Sequence, residues 1–170
     1  MTAHARTGAP PLDRAAAEDL LFEEAARLDD GDFTGWLDLF TDDAVYWLPA
    51  RRGEFDPGRH VSLIHDDRLR MEERVWRLTN GPAHAQIPPS ATRRLIANVR
   101  VARDPARDPA LAVVTSNFSL HESRNDQLRT FAGQYEHRLR HTADGGWLIS
   151  RKKALLVNCD APLFNLTFLV

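Results

Sequence analysis

Residues 64 to 68, Ile-His-Asp-Asp-Arg, set a histidine beside two aspartates and an arginine. A histidine oriented by a carboxylate is the arrangement that general acid–base catalysis uses, so His65 with Asp66 or Asp67 is a candidate base. The same residues have a plainer use. The spacing predicts a helix from about Asp66 to Leu78, with Met71, Val75 and Leu78 as its apolar stripe. Asp66 or Asp67 would cap it, since a carboxylate there accepts otherwise unpaired backbone N–H groups and suits the positive end of the helix dipole. An Asp-Asp pair at a helix start favours capping. Glu72 and Glu73 among Arg68, Arg70, Arg74 and Arg77 would then form i, i+4 ion pairs worth a few tenths of a kcal/mol each.

Other single residues invite the same weighing. His84, in GPAHAQIPPS between that helix and the strands beyond it, could reach a cavity, although a lone histidine is more often a hydrogen-bonded structural group. Asp43 and Tyr46 stand near the first strand, where an acid or a hydrogen-bond donor could serve, or where a turn aspartate and a half-buried tyrosine would do. Metal-ligand spacing is poor. His60 and His65 are five apart and share no helical face, and His137 and His141 on one strand face would lie ~13 Å apart. A two-His, one-carboxylate site could still be assembled across the fold, but spacing does not point to one. Dinucleotide, P-loop, zincin and nucleophile-elbow motifs are all missing. The four tryptophans, Trp36, Trp47, Trp76 and Trp147, read as core or interface anchors.

The elements that must position these residues are legible in outline. Residues 1–12, with Gly8, Pro10 and Pro11, read as a loose arm, and 13–170 as one domain. Asp13 to Asp30 reads as a helix on Ala17, Leu21, Ala25 and Leu28, capped by Asp13 and stopped by Gly31. FTGWLDLF follows as a short helix whose Phe33, Trp36, Leu37 and Phe40 share one face. TDDA reads as a turn into the strand VYWL, which Pro49 closes, and HVSLI as a short extended piece. Beyond Gly81 and Pro82 the period changes. Alternation at Leu95–Val101, Ala112–Leu120, Phe131–Leu139 and from Trp147 predicts four strands, with turns at DPARDP, SRNDQ and TADGG. Helices followed by a strand meander specify α+β, with the helices on one face of a curved, mostly antiparallel sheet.

Bulk properties narrow the function further. A hydrophobic share of 43% over 170 residues supports a real core, and a net charge of −2 gives no reason to propose nucleic acid or an acidic membrane as partner. No apolar run approaches the ~20 residues of a membrane span, and the first residues lack a signal-peptide core. Cys159 is the single cysteine. It excludes a disulfide within the chain, fits a reducing cytoplasm, and cannot hold an iron–sulfur cluster alone, because even a Rieske centre takes two cysteines and two histidines.

Taken in order, the segments FTDDAVYWLP (40–49), SLIHDDRLRMEERVWRL (62–78), HAQIPPSATRRLIANVRV (84–101), VVTSNFSLHESR (113–124), GWLISRKKALLVN (146–158) and NLTFLV (165–170) resemble the small (β) subunit of bacterial aromatic-ring-hydroxylating dioxygenases. The charged helix followed by P-P-S-x-T-R-R-L is the most specific part. Ala91 departs from it, standing where the family has arginine. The resemblance implies a nuclear transport factor 2-like, cystatin-like cone, and a chain without cofactor or catalytic residues that trimerises beneath three large subunits as α3β3. The Rieske [2Fe–2S] cluster, the mononuclear Fe(II) and most of the substrate pocket belong to the large subunit, through which alone a reductase and ferredoxin deliver electrons for cis-dihydroxylation. On this reading Asp66, Asp67, Arg74, Trp76, Arg93 and Arg94 are candidate interface residues. The rival is a stand-alone enzyme of the same cone fold, an isomerase, dehydratase or cyclase, using Asp43 or His84 as base with Tyr46 and His65 orienting substrate. Fold alone does not separate the two.

Overall fold

Asp13 starts the first helix, α1 (Arg14–Asp30), by accepting the Ala16 N–H at 2.8 Å, and Gly31 ends it in the left-handed conformation at φ 77°. The computed structural model describes residues 12–53, 61–80, 88–102, 110–161, 166 and 168–170. The arm expected before Asp13 lies outside them apart from Leu12, which is buried. Helix α2 (Phe33–Asp38) is capped by Asp32, whose carboxylate accepts the Gly35 N–H at 2.9 Å.

Two expectations change here. Phe40 does not close α2 but opens strand β1 (Phe40–Pro49), and TDDA belongs to that strand rather than to a turn. The pairing register slips between Phe40 and Val45, so Asp42 and Asp43 stay in water without breaking the strand. Second, residues 62–67 form strand β2 (Ser62–Asp67), and helix α3 (Arg68–Asn80) begins at Arg68 rather than Asp66. Asp66 sits in the strand opposite Tyr46 and bonds Arg74 Nε at 2.7 Å, while Asp67 caps α3 by accepting the Arg70 N–H at 3.0 Å. A strand position is tolerable for Asp66 because its carboxylate is paired across to the helix it precedes.

Four long strands complete the sheet: β3 (Ala91–Ala102), β4 (Leu111–Arg124), β5 (Gln127–His141) and β6 (Trp147–Leu156). The order is β2-β1-β6-β5-β4-β3, antiparallel except where β1 runs parallel to β6. The SRNDQ turn joins β4 to β5 through Asn125 and Asp126, both at positive φ (49° and 59°), the two-residue geometry that matches strand twist. Further register slips at Ala97/Arg100 and Arg138/Leu139 bend the long strands.

All three helices cover one face of this sheet. Leu21 and Leu28 of α1, Trp36 of α2 and Met71 and Val75 of α3 meet Tyr46, Leu48, Leu120, Leu139 and Ile149 in one core. Each such fully buried side chain contributes roughly 1.5–3 kcal/mol relative to exposure. The Trp36 ring meets Phe40 and Tyr46 edge-on, with centroids 4.7 and 5.8 Å away. Phe168, Leu169 and Val170 are buried under the same face, with Phe168 edge-on to Phe131 at 5.2 Å. Among the described residues no helix is long and apolar enough to cross a membrane.

Candidate functional site

The inward face of the sheet carries charge where a core would ordinarily be apolar. Lys152 on β6 and His137 on β5 are cross-strand neighbours pointing inward, and Glu24 reaches them from α1. One Glu24 oxygen, Oε1, lies 2.9 Å from Lys152 Nζ and accepts the Trp36 indole N–H at 3.1 Å, while Oε2 lies 2.9 Å from His137 Nε2. Burial alone would raise the Glu24 carboxyl. Lys152 and His137, through charge and hydrogen bonds, outweigh it and hold the carboxyl well below the usual carboxylate range. Burial pushes the Lys152 ammonium down, and Glu24 offsets part of that. Lys152 also lies over the Tyr135 ring, 4.5 Å from its centroid.

A second knot lies beside it. The Arg94 guanidinium, 2% exposed, is bonded by Asp29 of α1, by Thr92 Oγ1 at 3.1 Å and by the Leu169 carbonyl. Asp29 also accepts the Thr92 hydroxyl and the Arg94 N–H, each at 2.8 Å. Tyr46 donates to the Val170 carbonyl at 3.1 Å and accepts the Val170 N–H at 3.0 Å. Burial drives the Tyr46 and Tyr135 hydroxyls above the ordinary phenol range, so both stay protonated. Chemically, these groups fasten α1, β3, β5, β6 and residues 168–170 to one another. Each strong acid or base there is already matched within the chain.

The residues that the rival reading needs are not brought together. Asp43 faces water and clamps Arg140 with two bonds of 2.8 and 3.1 Å, and that hydrogen bonding lowers its carboxyl. Tyr46 points the opposite way, into the core. His65 is exposed on β2, edge-on to Trp47 at 6.4 Å. His84, like His60, lies outside the described residues. Of the interface candidates, Trp76 is 60% exposed, and Arg93 is exposed with only a 3.4 Å contact to Asp30. Asp66, Arg74 and Arg94 make the internal bonds given above.

Sequence reasoning passes over Glu24 and Lys152, and weighs His137 only as a metal ligand paired with His141. Glu24 stands three residues after Leu21 and four before Leu28, inside the apolar stripe of α1, and that misplaced charge was the available signal. His137 likewise alternates in phase with Tyr135 and Leu139. Lys152 gave no such signal, because a bulge at Ser150 sets its phase. For a metal, the donors do not gather: among the described residues no group of three or more His, Cys, Asp or Glu side chains could hold an ion. Cys159 is buried alone.

Comparison with known proteins fits this geometry. Residues 23–161 match the family described as "Ring hydroxylating beta subunit". The small oxygenase component of the p-cumate 2,3-dioxygenase system of Pseudomonas putida is 34% identical over 145 residues, covering 84% of this chain and 78% of that protein. The beta subunit of benzoate 1,2-dioxygenase from Burkholderia mallei superposes with a TM-score of 0.75 at 26% identity, over 94% of this chain and 99% of that one. A nuclear transport factor 2-like protein with a cystatin-like fold from Novosphingobium aromaticivorans superposes at 0.62 with 14% identity, over 86% and 82%, which establishes the shared fold alone. The chain therefore has the cystatin-like α+β fold and belongs to the ring-hydroxylating beta subunit family, the small subunits of aromatic-ring dioxygenases.

Proposed function

We propose that this chain is the assembly subunit of a cytoplasmic aromatic-ring dioxygenase, self-associating as a trimer and carrying three large subunits in an α3β3 complex. The observation that carries this reading is the occupied interior. Where a stand-alone enzyme of this fold would work on substrate, Glu24, Lys152, His137 and Arg94 are matched to one another, to Asp29 and to residues 168–170. In such a complex the large subunit would hold the Rieske cluster and the mononuclear iron, fed from NAD(P)H, and this chain would contribute shape and stability.

The subunit contacts belong on surfaces the fold leaves apolar and exposed. Trp76 and Leu69 stand on the outward side of α3, which the Asp67 cap and the Asp66–Arg74 pair hold in place. Arg93 is a second outward contact, with Arg94 fixing its strand from behind. Charged pairs at such a contact set register and partner choice more than affinity.

Native mass of the purified chain, alone and co-expressed with its large subunit, tests the reading. A trimer alone and an α3β3 mass with the partner are expected. A monomer or dimer that ignores the partner would return the chain to the rival class. Two relatives are components of a p-cumate 2,3-dioxygenase system and of a benzoate 1,2-dioxygenase, so p-cumate and benzoate are the first compounds to try with the assembled enzyme.

A further inference from the structure

Charge is divided along this chain. Residues 13–43 hold eleven acids and two arginines, while residues 127–156, from the start of β5 to the end of β6, hold six lysines and arginines and two acids. Part of this difference is matched within the chain, in Glu24–Lys152 and Asp43–Arg140. The rest is displayed on two surfaces, the open face of the sheet and the outer side of α1.

On the open face Arg138 of β5 stands directly opposite Arg151 of β6, and like charges so placed destabilise a sheet. Ser150 bulges there and donates its hydroxyl to the Arg138 carbonyl at 3.0 Å. The Arg151 guanidinium lies over the buried Trp47 ring, 4.7 Å from its centroid, and Lys153 Nζ lies 4.8 Å from the same ring. Glu136 meets Arg138 at 3.4 Å, and Arg138 stays 54% exposed.

On α1, Ala15, Asp19, Phe22 and Ala26 recur at helical spacing on the side turned away from the core, and all four are exposed. Phe22 is 48% exposed. Glu18 and Glu23 beside them are taken by Arg14 and Arg27, but Asp19 has no cation among the described residues. An exposed ring beside an unmatched carboxylate complements two guanidinium groups, one of them stacked on an indole, in charge and in apolar content. Helix α3 also exposes a ring, Trp76. There Arg70 and Arg77 outnumber the one free acid, Glu73, so its charge repeats that of the sheet.

We propose that the outer side of α1 in one copy of this chain docks on the open sheet face of the next, with Asp19 set between Arg138 and Arg151. This rests on the self-association proposed above and names its two surfaces. They are different patches of one molecule, so the contact runs head to tail, the kind from which a ring of three closes. Charge fixes the direction: sheet on sheet would set cation against cation, and α1 on α1 acid against acid.

Sedimentation of the purified chain over a range of concentrations, at low and high salt, tests this. Wild type is expected as a trimer that loosens at high salt. Asp19→Arg weakens self-association about tenfold or more. Arg138→Glu does the same, although it sets opposite charges across the ladder and so favours the isolated fold, which separates weaker association from a folding defect. Asp19→Arg/Arg138→Glu, with the charges exchanged, associates more tightly than both single variants. Single variants that trimerise like wild type overturn the proposal, as does a combined variant that fails to exceed both. Loss on Glu73→Arg with none on Asp19→Arg also overturns it, by moving the contact to α3. If wild type itself does not trimerise, the self-association reading fails and this proposal with it; if wild type trimerises and the exchange gives no rescue, only the proposal fails.

Discussion

Two clusters of charge lie on opposite sides of β5 and β6, one residue apart in sequence, and they obey different rules. Inside, Lys152 and His137 meet Glu24 at 2.9 Å and every strong charge has its opposite. Outside, Arg138 and Arg151 face each other, and Glu136, two residues along β5, meets Arg138 at 3.4 Å. A buried charge without a partner is too costly to persist, so Glu24, Lys152, His137 and Arg94 find their opposite charges within the single chain. An exposed cation is tolerated in water, so the outer face can hold charges whose complement lies on another molecule. The difference separates charge that must be matched for the chain to fold from charge that water alone can support.

The largest expected effect comes from breaking the inner cluster on one side only. Lys152→Met leaves Glu24 buried beside His137 with one counter-charge removed, and unfolding by denaturant should register a loss of about 3–5 kcal/mol. Acid probes the same contact from the other direction. The Glu24 carboxyl sits well below its ordinary 4.5 in the folded chain, so the unfolded chain binds the proton more readily. Its contribution is complete above that ordinary value and declines as pH falls below it. The midpoint of unfolding, followed from pH 7 downward, should therefore drop below about pH 4.5, and a midpoint flat to pH 3 would separate Glu24 from stability.

A smaller loss is expected at the seam with residues 168–170. Tyr46→Phe removes the hydroxyl that bonds both backbone groups of Val170 and leaves those buried groups unsatisfied, which costs about 1–3 kcal/mol in the same assay. Asp43→Asn should do least. Its pair with Arg140 is exposed on both sides, and screening by water holds the effect to about 0–1 kcal/mol, vanishing further in high salt.

Much of this was readable from the residues, and the failures are physical. Asp13 and Gly31 bound α1 where their backbone chemistry places them, and SRNDQ turns at Asn125 and Asp126, the residue types that tolerate positive φ. Phe131, Tyr135 and Leu139 alternate inward as their spacing predicts. Asp66 was misassigned to the helix because an Asp-Asp pair is a strong local cap signal, and its partner, Arg74, is a tertiary contact that no window over residues 64–68 contains. TDDA reads as a turn for a related reason: Arg140, which donates to the Asp43 carboxylate in the strand, is remote in sequence. For Tyr46 the sequence identified a hydrogen-bonding residue at the first strand, but not that Val170 takes both of its bonds. The inner cluster joins α1, β5 and β6 and exists only once the sheet order is known.

The central claim is that this chain shapes the enzyme without touching the reacting atoms. Its most direct test is turnover per assembled complex for the combined variant Asp43→Asn/His65→Ala/His84→Ala, co-expressed with the large subunit and normalised to the amount of complex recovered. The account predicts turnover within about twofold of wild type. A complex that assembles normally and loses the ~10²–10⁴-fold expected when a general acid or base is removed would contradict it and return these residues to an active site.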